Sequence, residues 1–548
     1  MSITLHRLIL LIVFVILLAF TPAYGQDNWL GGTGYWSNGN YWSTGLPPLS
    51  TDFVTIYSGG ADLVTLDLGS VSITNLTLGG NYNGFSSELT DGGTTQNLTI
   101  SGGLGVGPSG SLYFFGNYSS LNTDGFFNSG TFQTSAAITT HGFQNVGTLN
   151  NFGGIDSPDA GFGNEGTLNN FGGISCVHGG SGNSGTLNNY GDISLYDDNL
   201  GNGGPLNNYG TITMLDAPMS NYSILNNYGT VELISNDYYL TNYGTLKNYG
   251  LLLPSGLENV STMDNYGTVR LVQLNSDNSG MLANAGILDI QTTFYNEGTL
   301  DNLGKLNTYD LWNYSVLNNR AGGTLNIYLE NYPGYPGSLE NYGTINNAGV
   351  VVIPPGSLLA SDSSDYFGTG TYAQSAGSTI VDGTFSSVTP IHIDGGTLSG
   401  SGLIQGDVFM GGTMSPGDSP GLLTIQGNYT QLSSGSFFAE LAGLTPGTQY
   451  DQLVVSGLAT LDGTLDVVLL NGFVVHLGDS FVLMTFANET GQFSELDLPR
   501  LPHGEMWLLS YNPSNLTLQA APTPEPASML LLGSGLLSAA LVFRRRNQ

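Results

Sequence analysis

The apolar positions of this chain recur at a fixed distance. The block Gly-Thr-Leu-Asn-Asn-(Phe/Tyr)-Gly returns with its leucine at Leu149, Leu168, Leu187, Leu206 and Leu225, at one constant spacing. The register continues less strictly through Leu246, Met263, Leu282, Leu300, Leu317 and Leu339. Two residues after each of these stands an asparagine: Asn151, Asn170, Asn189, Asn208, Asn227, Asn248, Asn265, Asn284, Asn302, Asn319 and Asn341. A second asparagine series runs four residues ahead of the apolar position, from Asn145, Asn164, Asn183, Asn202, Asn221 and Asn242 to Asn259, Asn278, Asn296 and Asn313. Phe152, Phe171, Tyr190, Tyr209, Tyr228, Tyr249 and Tyr266 form a third column.

A period of about 20 residues, built of short alternating stretches and glycine turns, marks a solenoid. Gly, Asn and β-branched residues are too dense for helical repeats. Leucine-rich repeats need several spaced leucines per turn where this chain offers one or two. The prediction is therefore all-β: an elongated parallel β-helix with coils of ~19 residues, each pairing with the next at ~4.8 Å. Around twenty such coils make a rod of roughly 100 Å. Stacked Leu fills the interior, and the Asn columns hydrogen-bond along the axis as a structural ladder.

The two ends break the pattern. Arg7, the apolar run Leu8 to Phe20, and small residues at Ala23 and Gly25 read as a signal peptide over 1–25, cleaved between Gly25 and Gln26. At the other end, Pro522-Thr523-Pro524-Glu525-Pro526 is a stiff non-helical stretch. Ala527 to Phe543 then runs apolar without charge, and Arg544, Arg545 and Arg546 follow. Such a segment is predicted as a hydrophobic helix, at the low end of a membrane span, with its arginines on the cytoplasmic side.

Pro524-Glu525-Pro526, the Leu-rich segment with Gly533 and Gly535, and the arginine cluster closely resemble the PEP-CTERM sorting signal. That resemblance implies an exported protein whose tail over 524–548 is recognised by an exosortase-type processing enzyme. It also implies contact with the inner membrane, at least in passing, and a link to extracellular polysaccharide. Localisation at the cell surface, in the matrix or on a membrane anchor follows.

The flanks look like variants of the same coil. Residues 26–110 are expected to hold an N-terminal cap and the first coils. There Trp29, Trp36 and Trp42 suit a hydrophobic lid over the open solenoid end, with a sugar-stacking platform as the sharper alternative. Residues 111–350 carry the Asn-rich repeats. Residues 351–523 change in text: Gly395-Gly396-Thr397-Leu398-Ser399-Gly400, Ser415-Pro416-Gly417-Asp418-Ser419-Pro420-Gly421 and Tyr450-Asp451-Gln452-Leu453-Val454-Val455 resemble the final β-helical section of autotransporter passengers. In that family a translocator barrel follows; here the sorting tail does, which argues against self-translocation.

Composition narrows the function. Excluding 1–25 and 524–548, the chain has 5 basic and 40 acidic residues, a net charge of −35. Such a surface repels phosphate backbones, so nucleic acid is no partner. Cys176 is the sole cysteine, which excludes an intramolecular disulfide and a thiolate zinc site, and suits a buried, inert thiol.

Chemistry is hard to find. β-Helical lyases need clustered cations, but Lys247, Arg270, Lys305 and Arg320 fall on different coils. Asp197 and Asp198 are adjacent, with no basic or His companion in their coil, and read as a solvated corner rather than a glycosidase pair. His141, His178, His392, His476 and His503 are scattered. No catalytic residue, cofactor or metal site is predicted. The expectation is a non-enzymatic structural or adhesive surface protein. The alternatives are a polysaccharide-acting enzyme, or a glycan- or ice-binding adhesin using the threonine row Thr148, Thr167 and Thr186, which Pro205 interrupts.

Overall fold

The computed structural model describes residues 25–80, 85–116, 119–328, 337–364, 368–502 and 504–523. The described residues form an all-β parallel solenoid of about 19 turns. The chain divides into two compact units, Met1–Leu306 and Asn307–Gln548. The proposed signal peptide, apart from Gly25, and the whole tail from Pro524 lie outside the described residues. Among the described residues no helix is long and apolar enough to cross a membrane.

In the first unit the coils stack into three parallel walls, through separate short strands or, as in Gly173–Asn183 and Asp192–Asn202, through one strand that runs along walls A and B together. Wall A contains Ala137–Thr140, Gly154–Ser157, Thr211–Leu215 and Thr230–Ile234; wall B contains Phe143–Asn145, Phe162–Asn164, Met219–Asn221 and Leu240–Asn242. Wall C contains Thr148–Asn151, Thr167–Asn170, Thr186–Asn189, Leu206–Asn208 and Ile224–Asn227. Alternation along each strand points one residue in two inward. Wall A thus contributes Ile138, Ile155, Ile174, Ile193 and Ile212 in register, and wall C contributes Leu149, Leu168, Leu187, Leu206 and Leu225. All are buried, at about 1.5–3 kcal/mol per side chain. Wall B adds Phe126, Phe143 and Phe162, stacked at 4.8 and 5.4 Å.

Walls B and C, and C and A, are joined by the same turn, Asn-x-Gly. The Asn145 carbonyl accepts from Glu165 N at 2.7 Å and Gly166 N at 3.0 Å, and the Asn151 carbonyl accepts from Phe171 N and Gly172 N at 2.7 and 3.1 Å. Glycine closes the turn because the backbones touch there: a Cβ on Gly172 would collide with the Gly153 carbonyl, and one on Gly191 with that of Gly172.

The A–B corner is the variable one. It is two residues long at His141-Gly142 and five at 235–239. Coil length changes there while the walls keep register, so Leu225 still pairs Leu246, 21 residues on, and Leu246 pairs Met263, 17 on. This is why the repeat loosens in the sequence without a break in the ladder.

In the second unit the register departs from the expectation. Leu317 pairs Ile345, not Leu339; Leu339 instead lies against Leu311, with Asn341 against Asn313. The step from Leu317 to Ile345 is much longer than one ordinary coil and passes over Leu339, so simple spacing assigned Leu339 and Asn341 to the wrong wall. The parallel ladder ends where Ser480–Thr485 pairs antiparallel with Asn515–Pro522, which pairs antiparallel with Glu505–Asn512. A reversed hairpin of this kind occupies a strand edge that would otherwise be open.

At the start, Gln26–Asn28 pairs Phe53–Thr55. Trp29, Trp36 and Trp42 are buried, not displayed. Trp29 stacks on Tyr41 at 4.9 Å and meets Trp42 edge-on at 5.0 Å; Trp42 donates its indole N–H to the Trp36 carbonyl at 2.8 Å. The sugar-platform alternative for these three fails, since no ring face is open to a ligand.

Candidate functional surfaces

The buried asparagines use their polar groups on one another. Asn151 Nδ2 donates to Asn170 Oδ1 at 2.8 Å, Asn170 to Asn189, and Asn189 to Asn208, each at 2.8 Å. The row continues through Asn227, Asn248, Asn265, Asn284 and Asn302. A parallel row at the B–C turn runs from Asn128 through Asn145 and Asn164 to Asn296, at 2.7–2.9 Å. The second amide hydrogen goes to a backbone carbonyl in the following coil, as from Asn170 to Asp192 O at 3.0 Å. Nearly every donor and acceptor is matched inside the fold, which leaves these residues nothing with which to bind a ligand. The exception is the first residue of its row, Asn128, whose buried Oδ1 has no donor.

Wall C and the turn that follows it present three rows outward. A half-exposed asparagine row, Asn150, Asn169, Asn188, Asn207 and Asn226, hydrogen-bonds at 2.8–2.9 Å with its amides pointing the opposite way to the buried ladders. Beside it Phe152, Phe171, Tyr190, Tyr209, Tyr228, Tyr249 and Tyr266 stack at 4.7–5.1 Å with planes within 8°. These rings are nearly half exposed, yet each covers the face of the next, so they offer edges and hydroxyls rather than open faces. On the other flank is the threonine row, interrupted by Pro205 and then Ile224.

The A–B corner gathers residues that look scattered in the sequence. His141 lies between Asp124 (Nδ1–Oδ1 3.0 Å) and Asp159 (Nε2–Oδ2 3.4 Å). Its hydrogen bond with Asp124, and then the charges of both carboxylates, raise the imidazole pKa above its ordinary value. His178 Nδ1 is 3.0 Å from Asp197 Oδ2. With its two nitrogens facing carboxylates of the preceding and following coils, His141 bridges three coils.

Asp197 and Asp198 are not a solvated pair. Asp197 has the histidine companion on the preceding coil, and Asp198 turns inward, where Ser181 Oγ donates to it at 2.8 Å. Burial pushes the Asp198 carboxyl up. Cys176, between Ser157 and Leu195, is buried, and its thiol is pushed up to about 12 by burial and then by Asp198.

The cations of the first unit fall on different coils. Lys247 is on wall C and Lys305 begins a strand in the last coil of the first unit, whereas Arg270 on wall A is held by Asp289 at 3.2 Å. Arg320 belongs to the second unit. Among the described residues no group of three or more His, Cys, Asp or Glu is arranged to hold a metal ion. His503, Pro524, Glu525, Pro526, Arg544, Arg545 and Arg546 lie outside the described residues.

Residues 522–546 match the PEP-CTERM protein-sorting motif. No curated protein matches the chain. The motif marks an exported, envelope-associated protein that an exosortase sorts and processes. Its first residue, Pro522, is also the last residue of the closing strand Asn515–Pro522, so motif and fold meet without a spacer.

Proposed function

We propose that this chain is a non-enzymatic structural protein of the cell envelope, a β-solenoid delivered through its sorting tail into an extracellular polysaccharide matrix. The observation that carries the proposal is the junction at Pro522, where a capped solenoid passes directly into the sorting motif. The solenoid is the cargo, and the tail is its address. The way the polar side chains are used supports the same reading. Asparagines, the commonest polar residues of the repeats, bond to each other, and the histidines of the A–B corner bond to carboxylates. The likeness to autotransporter passengers is one of architecture: a β-helix displayed outside the cell, here exported by a different route. The polysaccharide is the surroundings of the protein, with adhesion arising from its long walls rather than from a sugar pocket.

C-terminal peptide mass spectrometry on fractionated native cells tests this. A mature end near Pro524 in the surface or matrix fraction is the expected result. An intact tail through Phe543 in the inner-membrane fraction would overturn the matrix part and leave a simple membrane-tethered protein. Activity of the purified protein on uronate or neutral glycans would overturn the non-enzymatic part.

A further inference from the structure

Charge in the first unit is distributed unevenly over the walls. Between Ser111 and Tyr228 there are no Lys or Arg residues and the acids are Asp124, Asp156, Asp159, Glu165, Asp192, Asp197, Asp198 and Asp216. Asp156 and Asp192 are on wall A. Asp124, Asp159, Asp197 and Asp216 line the A–B corner, Glu165 sits in a B–C turn, and Asp198 is buried. None is on wall C. From Gly110–Phe114 through Thr131–Thr134 to Ile224–Asn227, seven coils pair in register, and their outward residues are Ser, Thr, Gln, Asn, Pro, Ile, Phe and Tyr. A charge-free face, with Phe115, Phe152, Phe171, Tyr190, Tyr209 and Tyr228 each 40–48% exposed, stands on a chain of net charge −32.

We infer that this stretch of wall C is a self-association surface, and that its partner is a second copy of the chain. Approach of two copies through wall A or the A–B corner sets carboxylate against carboxylate. Wall B holds the Glu165 carboxylate through Gln144 at 2.9 Å and presents few side chains beyond glycine. Wall C against wall C brings no charge together and adds exposed rings. The chemistry disfavours a sugar chain as occupant. The ring faces are covered by neighbouring rings, and the outer asparagine amides already bond along the axis, so little is left for CH–π stacking or hydroxyl recognition. Flat rows of ring edges and amides suit an equally flat, dry counterpart. Seven coils at ~4.8 Å and three outward positions per strand give a face of about 34 by 16 Å, or roughly 500 Å² per copy, below the standard size of a stable interface. The association is accordingly weak and reversible, becoming dense only where copies are concentrated. It stands on the charge distribution of this unit and is independent of how the tail is processed.

Sedimentation velocity of the full chain in a neutral detergent, over a concentration series reaching about 100 μM, tests it, because interfaces of this size associate at micromolar concentrations or above. The wild type is expected to shift from monomer toward dimer. Asn169 is central on the face, in the middle row of the middle coil, and Asn169→Asp or Asn169→Lys places like charges opposite each other across a two-fold contact. Each variant alone should associate at least ten-fold more weakly, with circular dichroism confirming that it is folded. An equimolar mixture of the two should regain association. A wild type that stays monomeric throughout, or Asn169→Asp that associates as well as wild type, overturns the inference. So does a monomer that instead co-sediments with a neutral glucan, which would make wall C a glycan surface.

Discussion

Replacing Asn189 by Asp changes one buried NH₂ group to oxygen and leaves the shape intact. In the native ladder Asn189 Nδ2 donates to Asn208 Oδ1 at 2.8 Å, Gly191 O at 2.9 Å and Thr211 O at 3.0 Å, while Asn189 Oδ1 accepts from Asn170. The ionised Asp keeps only the bond from Asn170. Gly191 O retains a donor, Thr211 N at 2.9 Å, but Asn208 Oδ1 has no other donor among the described residues and is left unsatisfied in a fully buried site. An orphaned buried acceptor costs about 1–3 kcal/mol, and the two weakened carbonyl bonds add about 1 kcal/mol together. The charge adds more: each unit by which the folded carboxyl rises above its unfolded value removes about 1.4 kcal/mol at neutral pH.

Protonation reverses most of this loss. The neutral carboxyl donates its O–H to Asn208 Oδ1 and still accepts from Asn170, which re-forms the row. A folded pKa raised above the unfolded value gives stability that is present below the unfolded pKa of about 3.9 and is lost as pH rises through the folded one. The variant should therefore be near wild type at about pH 4 and weaker by about 3–5 kcal/mol above pH 7. Solenoids lose structure locally, so hydrogen exchange followed by mass spectrometry on peptides spanning 167–212 is the right assay, corrected for intrinsic exchange at each pH. The two neighbouring coils that pair Met263 with Leu282 serve as an internal control. Unchanged protection at neutral pH, or equal loss at both pH values, would refute the claim that the amide row holds the coils together.

Gly191→Ala should destabilise its coil by about 1–3 kcal/mol, since the new Cβ meets the Gly172 carbonyl; Gly182→Ala, with nothing within 4 Å, should stay within about 0.5 kcal/mol by thermal unfolding. Cys176 should resist iodoacetamide at pH 8 in the native protein and react fully in denaturant, as followed by intact mass; native labelling would contradict its burial and a pKa pushed up to about 12. Asp451 accepts from Gly421 N and Glu440 N at 2.7 and 2.9 Å, and burial followed by the Glu440 charge pushes it up to about 7. Its stabilising contribution should fade as pH rises from about 4 to about 7, seen as a falling melting temperature that Asp451→Asn flattens. Tyr209→Ala breaks two ring contacts at 4.9 and 4.8 Å, and should cost about 1–3 kcal/mol in urea titration, at about 0.5–1.5 kcal/mol for each aromatic pair.

The solenoid is legible in the sequence because each coil answers the same physical demands at the same positions. A leucine fills the centre of wall C, an asparagine satisfies the turn, and a glycine lets adjacent backbones touch. Those demands fix residue type, so the columns from Leu149 to Leu225 stand out at a constant spacing. The A–B corner imposes no such demand, so its length varies, and with it the distance between repeats. That variation hid the Asp124, His141, Asp159 and His178, Asp197 clasps, because residues a whole coil apart become neighbours only when the corner length of each coil is known. The same cause misplaced Leu339 and Asn341, where the step between paired coils grows well beyond the period of the earlier repeats.

The burial of Trp29, Trp36 and Trp42 and the reversed terminal hairpin belong to a different class of information. A repeat explains why coil follows coil, but not how the series stops, since the first and last coils each have a neighbour on one side only. Stopping needs residues outside the period: aromatic bulk at one end, and at the other a strand that runs backwards along the edge. Function follows the same division. The periodic residues are consumed by stacking, as the saturated amide rows show, so what distinguishes this solenoid from another lies where the period does not dictate. Those places are the outward rows of wall C, the variable A–B corner, and the motif that begins on the last residue of the closing strand.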